Sequence, residues 1–385
     1  MTFIDDRPDL SARALQALDD DFLYFNVAGS GPTFPVAQRA AERYRAWLNG
    51  VAMFSHVGYD SYNAELAATR EALASFVGGD AGSIALMQSA TDGLNTLVSS
   101  LRLAAGALVV TTEEEHPSAL LPVYRRQDRG DAVRVLPYAD DSSFLEATGR
   151  AFVDGAVAIV LSLVSCRTGR VLPVAEVCRQ ARAAGAISIV DCAQALGQIG
   201  VDVRSLGMDA AVFLGHKWMH GPLATGAIWV RDPERWAPDR VGWRSRETND
   251  FAGHMTLHPD GTRFETGTVD AAAFVGLRQA ILVHQGLGPT VGERVRSLRE
   301  RLLQALSGLP LELLGQTAEP TGIVVVRPRG GDAAGIVRRL WDDERIVVKL
   351  IDESDAIRIS FWALHREPDI DRLAATLAAQ LAVPA

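Results

Sequence analysis

Through the middle of the chain, short apolar runs alternate with amphipathic stretches. The runs fall at "ALVVTT" (107–112), "AVAIVLSLV" (156–164), "AISIVD" (186–191), "AAVFLG" (210–215) and "GAIWV" (226–230). They are apolar at successive positions, which fits strands covered on both faces, as in a parallel sheet. Between two of them, "PVAEVCRQARAAGA" (173–186) has helical spacing, with proline at its start and glycine near its end. Strand, helix, strand in this rhythm predicts an α/β fold with a large, doubly wound, mostly parallel sheet. After about residue 280 the pattern changes. "GERVRSLRERLLQALSGL" (292–309) reads as a charged amphipathic helix. Strand-like "TGIVVVRP" (321–328), helical "DAAGIVRRLWDDE", strand-like "RIVVKL" and "AIRISFW", and a last helix to about Leu381 follow. This mixture predicts a smaller C-terminal α+β domain. The division is then an N-terminal segment over 1–22, able to pack with the small domain, a large domain over 23–280 and the small domain over 281–385. Residues 231–267, rich in Trp, Arg, Gly and His, read as an irregular wrap over the surface or the domain junction.

Composition narrows the functional classes. Hydrophobic content of 48% with 22% charged residues is that of an ordinary globular protein. A net charge of −9 and a pI near 5.4 argue against a broad nucleic-acid surface, while leaving room for a local cationic pocket. No run approaches the roughly 18 apolar residues of a membrane span, and the acidic start lacks the form of a signal peptide. Three cysteines (Cys166, Cys178, Cys192) give neither a disulfide framework nor a CxxC metal pair. The expectation is a cytoplasmic protein with a small-molecule substrate, no metal, no membrane and no nucleic acid.

Candidate chemistry sits at the ends of the apolar runs. In "AAVFLGHKWMHGP" (210–222), Lys217 follows a strand. A lysine at the mouth of an apolar segment loses hydration, which lowers its pKa and frees its amine. Alone, it reads equally as a snorkelling surface lysine. Asp191 ends another strand, and in open α/β sheets ligands collect outside the carboxyl ends of the strands. Taken by themselves the two form a simple ion pair. Pyridoxal phosphate, however, needs a lysine for its Schiff base and a carboxylate to keep its ring nitrogen protonated. In "MQSATDGLNTLVSSL" (87–101), Ser89, Ala90 and Thr91 open a helix whose free N–H groups favour an anion, with an ordinary Ser/Thr cap as the structural alternative. "AGSGP" (28–32) lacks the GxGxxG form, and no P-loop is present.

From about residue 24 to its end, the chain resembles the class V aminotransferases among the fold-type I pyridoxal-phosphate enzymes. That group includes cysteine desulfurases, C–S lyases, kynureninases and isopenicillin N epimerase-like proteins. "VDCAQALGQIGVDV", "GHKWMHGP" and "GAIWV" carry the resemblance in order, supported by "SATDGLN", "EEEHPSALLP", "RFETGTVDAAAFVGL" and "IRISFWALHREPDIDRL". It implies the fold-type I architecture with pyridoxal 5'-phosphate as cofactor. Lys217 would be the Schiff-base lysine, Asp191 the partner of the pyridine nitrogen, and Gln194 the partner of the phenolic oxygen. His116 would stack on the ring, and Thr91, the backbone of Ala90 and His216 would hold the phosphate. Thr268 of "ETGT" would complete the phosphate site of a partner subunit, which implies a homodimer with composite active sites. Arg358 would grip the carboxylate of an amino-acid substrate.

Three departures from the family pattern bear on the reaction. Leu214 stands where many relatives have a phosphate-binding serine. In "LVSCRTGRVLP" (163–173), Ser165, Cys166 and Arg167 occupy the places where an asparagine usually assists the cofactor. Arg167 there either recognises a second anionic group on the substrate or faces solvent. Finally, "ERIVVKLIDESDAIRIS" contains no cysteine where desulfurases carry their persulfide-forming thiol. Cys178 and Cys192 read as packing residues, which leaves Cys166 as the one cysteine able to approach the cofactor. The expected function is a C–S lyase acting by β-elimination on a cysteine-derived substrate. The alternatives are an aminotransferase or an amino-acid epimerase, with His220, Trp243 or His56 as extra groups, and a catalytically idle relative that binds the cofactor.

Overall fold

Seven strands build the central sheet: β1 (Ile84–Met87), β2 (Leu108–Thr112), β3 (Ala132–Leu136), β4 (Ala156–Ser162), β5 (Ile187–Asp191), β6 (Ala210–Leu214) and β7 (Gly226–Val230). Their order is β1-β7-β6-β5-β4-β2-β3. β7 runs antiparallel to both neighbours, and the remaining pairs are parallel. This computed structural model describes residues 2–16, 21–315 and 320–382.

The apolar runs follow from two cores, one on each face of the sheet. Val109, Ile189 and Val212 point into one core, while their chain neighbours Val110, Val190 and Phe213 point into the other. Helix α1 (Ala90–Ser99) covers the first face through Leu94 and Leu97, and α2 (Ala271–Leu287) packs on the second through Phe274, Leu277 and Ile281. Gly93 lets α1 sit close: a Cβ there would lie 2.8 Å from Ile228 and 3.0 Å from Val212. That contact holds the helix start beside the ends of β6 and β7.

In the C-terminal part, β8 (Leu311–Leu314), β9 (Ile323–Pro328), β10 (Lys349–Ile351) and β11 (Ala356–Ser360) form an antiparallel sheet in the order β8-β9-β11-β10. Residues 23–26 cross to it. Leu23–Tyr24 pairs in parallel with Ile346–Val347, and Asn26 bridges to Ser360. Phe3, by contrast, packs against Tyr44 and Trp47.

All five runs of the large sheet expected from the sequence form strands. The sequence reading missed β1 and β3. β3 is an edge strand whose short run is broken by Arg134 and exposes Val135, so its apolar signal is half that of a buried strand. "RIVVKL" divides between the pairing with Leu23–Tyr24 and β10, and the irregular 231–267 stretch contains a hairpin of Arg246–Asn249 with Met255–Leu257. No helix among the described residues is long and apolar enough to cross a membrane.

Candidate active site

A cavity of about 710 Å³ opens at the carboxyl ends of β4, β5 and β6, against the start of α1 and the β10–β11 edge of the small sheet. Lys217 enters it from the turn after β6. The shape of that turn is imposed from residues 26–34: Gly31 N–H donates to the His216 carbonyl at 2.8 Å and Phe34 N–H to the His220 carbonyl at 2.9 Å. A Cβ on Gly31 would stand 2.0 Å from the Lys217 carbonyl oxygen, so only glycine fits there. "AGSGP" is therefore a buttress for the lysine turn. Burial pushes the Lys217 amine below its usual range, opposed by the Asp191 carboxylate.

Asp191 ends β5 in the same cavity. Its Oδ1 accepts from Ala193 N–H at 2.8 Å, and burial raises its carboxyl above the usual range. Gln194 lines the wall with both ends of its amide engaged: Nε2 donates to the Ala28 carbonyl at 2.9 Å, and Oε1 accepts from Trp218 Nε1 at 2.8 Å. One Nε2 hydrogen remains for another acceptor.

The start of α1 supplies the anion-binding end. Ser89 caps the helix through Asp92 N–H, and the first amides of a helix have no acceptor within it. Ala90 and Thr91 line the cavity, together with His216, whose Nδ1 is buried with no partner. His116 caps the helix Pro117–Tyr124: its Nδ1 accepts from Ser118 N–H at 3.1 Å, which leaves the proton on Nε2. Partial burial and the neighbouring Lys217 hold this imidazole below its usual range. Ser118 Oγ lies 2.9 Å from His116 Nδ1 and 2.8 Å from Thr91 Oγ1, tying the two together.

Arg358, on β11, reaches the cavity from the small sheet. Nη1 donates to the Cys166 carbonyl at 3.0 Å and Nη2 to Asn26 Oδ1 at 3.2 Å, while its buried Nε has no partner. Arg167 also lines the cavity, and its guanidinium has no hydrogen-bond or ion-pair partner among the described residues. The cavity thus gathers Ala90, Thr91, His116, Arg167, Asp191, Gln194, His216, Lys217 and Arg358. Thr268 lies outside it, exposed on a segment held by the buried Arg70–Glu265 pair and by Tyr62. Nor do the three extra groups join: His220 is buried with its ring stacked 4.7 Å from Phe34, and His56 and Trp243 line a separate groove.

Sequence reasoning missed two acids beneath this site. Glu115 accepts from Ser162 N–H at 2.8 Å, Ser162 Oγ at 2.6 Å and Thr112 Oγ1 at 3.0 Å. Burial, reinforced by the Asp191 carboxylate, pushes its carboxyl up to about 7. Glu114 accepts from the Ser165 and Thr168 hydroxyls and pairs with Arg170 at 3.4 Å. It fixes the 165–170 turn, so Ser165 faces Glu114 while Cys166 and Arg167 face the cavity. Burial drives the Cys166 thiol up to about 11. The available signal was three consecutive acids at 113–115 directly after an apolar strand, a place where exposed loop acids and buried ones look alike.

The architecture is that of the fold-type I pyridoxal-phosphate-dependent enzymes. The aminotransferase class-V profile matches residues 23–373, and the chain belongs to that family. It is 30% identical to a probable cysteine desulfurase of Methanothermobacter thermautotrophicus, over 90% of this chain and 88% of that protein. It is 28% identical to the isopenicillin N epimerase of Streptomyces clavuligerus, over 95% of this chain and 96% of that one. Among solved structures, the cystine C–S lyase C-DES in complex with its product cysteine persulfide superimposes with a TM-score of 0.87 at 27% identity, covering 93% of this chain and 98% of that one.

Proposed function

We propose that the cavity binds pyridoxal 5'-phosphate and that the protein is a C–S lyase, cleaving a cysteine-derived amino acid by β-elimination without a protein thiol as sulfur acceptor. The observation that carries this reading is the convergence of Lys217, Asp191, His116 and Arg358 on one cavity whose small-domain edge, residues 344–358, contains no cysteine. The likeness to a cystine C–S lyase at 27% identity supports it.

The residues fit the cofactor. The unpartnered buried Nδ1 of His216 and the open amides at the start of α1 suit a phosphate, and a buried carboxylate suits a ring cation. Lys217, Asp191, Gln194, His116, Ala90, Thr91 and His216 would hold it. When bound, the cofactor supplies an electron sink for the carbanion at the substrate Cα. Arg358 binds the substrate carboxylate through the N–H groups left over from its bonds to Asn26 and the Cys166 carbonyl, which fix the guanidinium plane. Lys217 Nζ, kept unprotonated by desolvation, takes the α-proton. The Cα electron pair then forms the Cα–Cβ double bond as the C–S bond breaks, and the sulfur leaves with the bonding pair and takes up the proton held on Lys217. Cys166, with its thiol raised well above neutrality, stays protonated and is a poor nucleophile toward the substrate sulfur while that sulfur is still bonded to Cβ.

The active enzyme on this reading is a homodimer. Thr268 is exposed beside Gly267 and the Trp243 indole, next to a groove lined by Phe54 and Tyr59. An exposed aromatic surface of this kind suits a second copy that receives Thr268 at its own phosphate site. The acidic composition and three unpaired cysteines support a cytoplasmic setting. A second reading, amino-acid epimerisation, is favoured by the near full-length match to isopenicillin N epimerase.

The test is a product assay on the purified, cofactor-loaded protein with cysteine thioether and sulfoxide conjugates. Pyruvate, ammonia and a sulfur product in equal amounts are expected. Inversion at Cα without pyruvate would establish the epimerase, and a protein that takes up no cofactor would refute both.

A further inference from the structure

Of the 38 basic residues in the chain only two are lysines, Lys217 and Lys349, and both line this cavity. Everywhere else, including the exposed surface, the chain uses arginine. Lys217 has its role in the reading above. Lys349 is exposed at the start of β10, where no need for burial explains it.

Its position in the small sheet is informative. Lys349 and Arg358 are direct partners across the antiparallel β10–β11 pair, so their side chains leave the same face, with Cα atoms about 4.5–5.5 Å apart. Like charges directly opposite one another destabilise a sheet. Arg167 adds a third cation, because the carbonyl of its neighbour Cys166 receives Arg358 Nη1. Neither Arg167 nor Lys349 has an ion pair or side-chain hydrogen bond among the described residues, although Asp352 and Glu353 line the same rim. Most other half-buried arginines here are matched, as Arg278 is with Glu65 and Arg244 with Glu265. One guanidinium suffices for the carboxylate of an amino acid. Two further unmatched cations on that wall call for a further anion.

We infer that Arg167 and Lys349 form a second oxyanion subsite beside Arg358, so that the substrate is an amino acid whose side chain carries a carboxylate or a comparable oxyanion. This rests on the amino-acid reading of the cavity given above, and names the substrate class within it. Lysine suits the place: an ammonium is a compact point charge with three donors, able to turn toward an oxyanion outside the plane of the Arg358 fork.

The experiment uses cofactor-loaded enzyme and follows its visible band while acid and amide pairs are titrated, aspartate against asparagine and glutamate against glutamine, with alanine as reference. None of these has a thiol leaving group, so binding is read without elimination. In at least one pair the acid is expected to bind roughly 10- to 100-fold more tightly than the amide, the range of a charge-assisted contact. In Arg167→Gln/Lys349→Met the ratio falls to near one while alanine binds as before, and Lys349→Arg, which keeps the charge, retains part of the preference. Equal binding of acid and amide in the parent, with alanine still perturbing the band, overturns the subsite and leaves the proposed function standing. A preference that survives the double substitution also overturns it, as does an equal weakening of alanine and the acids. If no amino acid perturbs the band, the amino-acid reading falls and the subsite falls with it.

Discussion

Lys217 and Lys349 line one cavity from the ends of different sheets, and the two sides are built in different ways. The Lys217 side is a set of strand ends. Asp191 closes β5, Lys217 follows β6, and the α1 start is pressed onto the sheet through Gly93, so each group is fixed by backbone that a core on both faces holds still. The Lys349 side is assembled from three distant pieces of chain: Asn26, the Cys166–Arg167 turn, and the β10–β11 pair that carries Lys349 and Arg358. There the contacts are side chain to side chain or side chain to carbonyl, and Glu114 holds the turn from below. The first side has the rigidity that chemistry on a bound ring requires. The second side, on the proposed reading, supplies the charges that sort substrates.

Breaking the first side has the largest consequence. Lys217→Ala is expected to abolish the visible band of the lysine-bound cofactor and to lower turnover by at least ~10³-fold, as loss of both attachment and base implies. Retained turnover would move the base elsewhere. Beneath that side, Glu115 carries its carboxyl at about 7 in the fold against 4.5 when unperturbed. The folded state therefore keeps a proton that the unfolded chain loses. The associated stability is complete below pH 4.5 and is lost as pH rises through 7, by roughly 3 kcal/mol. Urea unfolding across this window reads the effect, and Glu115→Gln, which keeps the shape without the charge, flattens it. A parent whose stability rises over the same range would contradict a buried neutral acid.

The second side breaks more gently. Arg358→Lys, which removes the fork but keeps the charge, is expected to raise KM by roughly 10- to 100-fold with the cofactor band intact. An unchanged KM would mean that another group takes the carboxylate. Smallest of all is Cys166→Ala. Because Arg358 is held by the carbonyl of this residue and not by its thiol, steady-state turnover should barely change. A large loss would bring the thiol into the chemistry and reopen sulfur transfer to the protein.

The same contrast explains what was legible in the sequence. Asp191, Lys217 and the Ser89–Thr91 helix start stand directly beside apolar runs or caps that name their own secondary structure, so strand-end logic was enough to bring them together. Gln194 was legible as a site residue, but its two hydrogen bonds to Trp218 and Ala28 were not. Glu114 and Glu115 escaped because a buried acid is recognised only by its donors, and Ser162, Ser165 and Thr168 lie about fifty residues away. Lys349 escaped because its pairing with Arg358 is a matter of register, which "RIVVKL" and "AIRISFW" do not specify. "AGSGP" could be read as not a nucleotide loop, yet its work in shaping the Lys217 turn emerges only from a contact between residue 31 and residue 217.

With only two lysines in the chain, one measurement separates the two sides cleanly. The cofactor-loaded protein is reduced with borohydride, digested, and its peptides weighed. The pyridoxyl mass is expected on the peptide containing Lys217 and absent from the one containing Lys349. Label on Lys349, or on neither lysine, would contradict the assignment of the cavity and with it the function proposed for this protein.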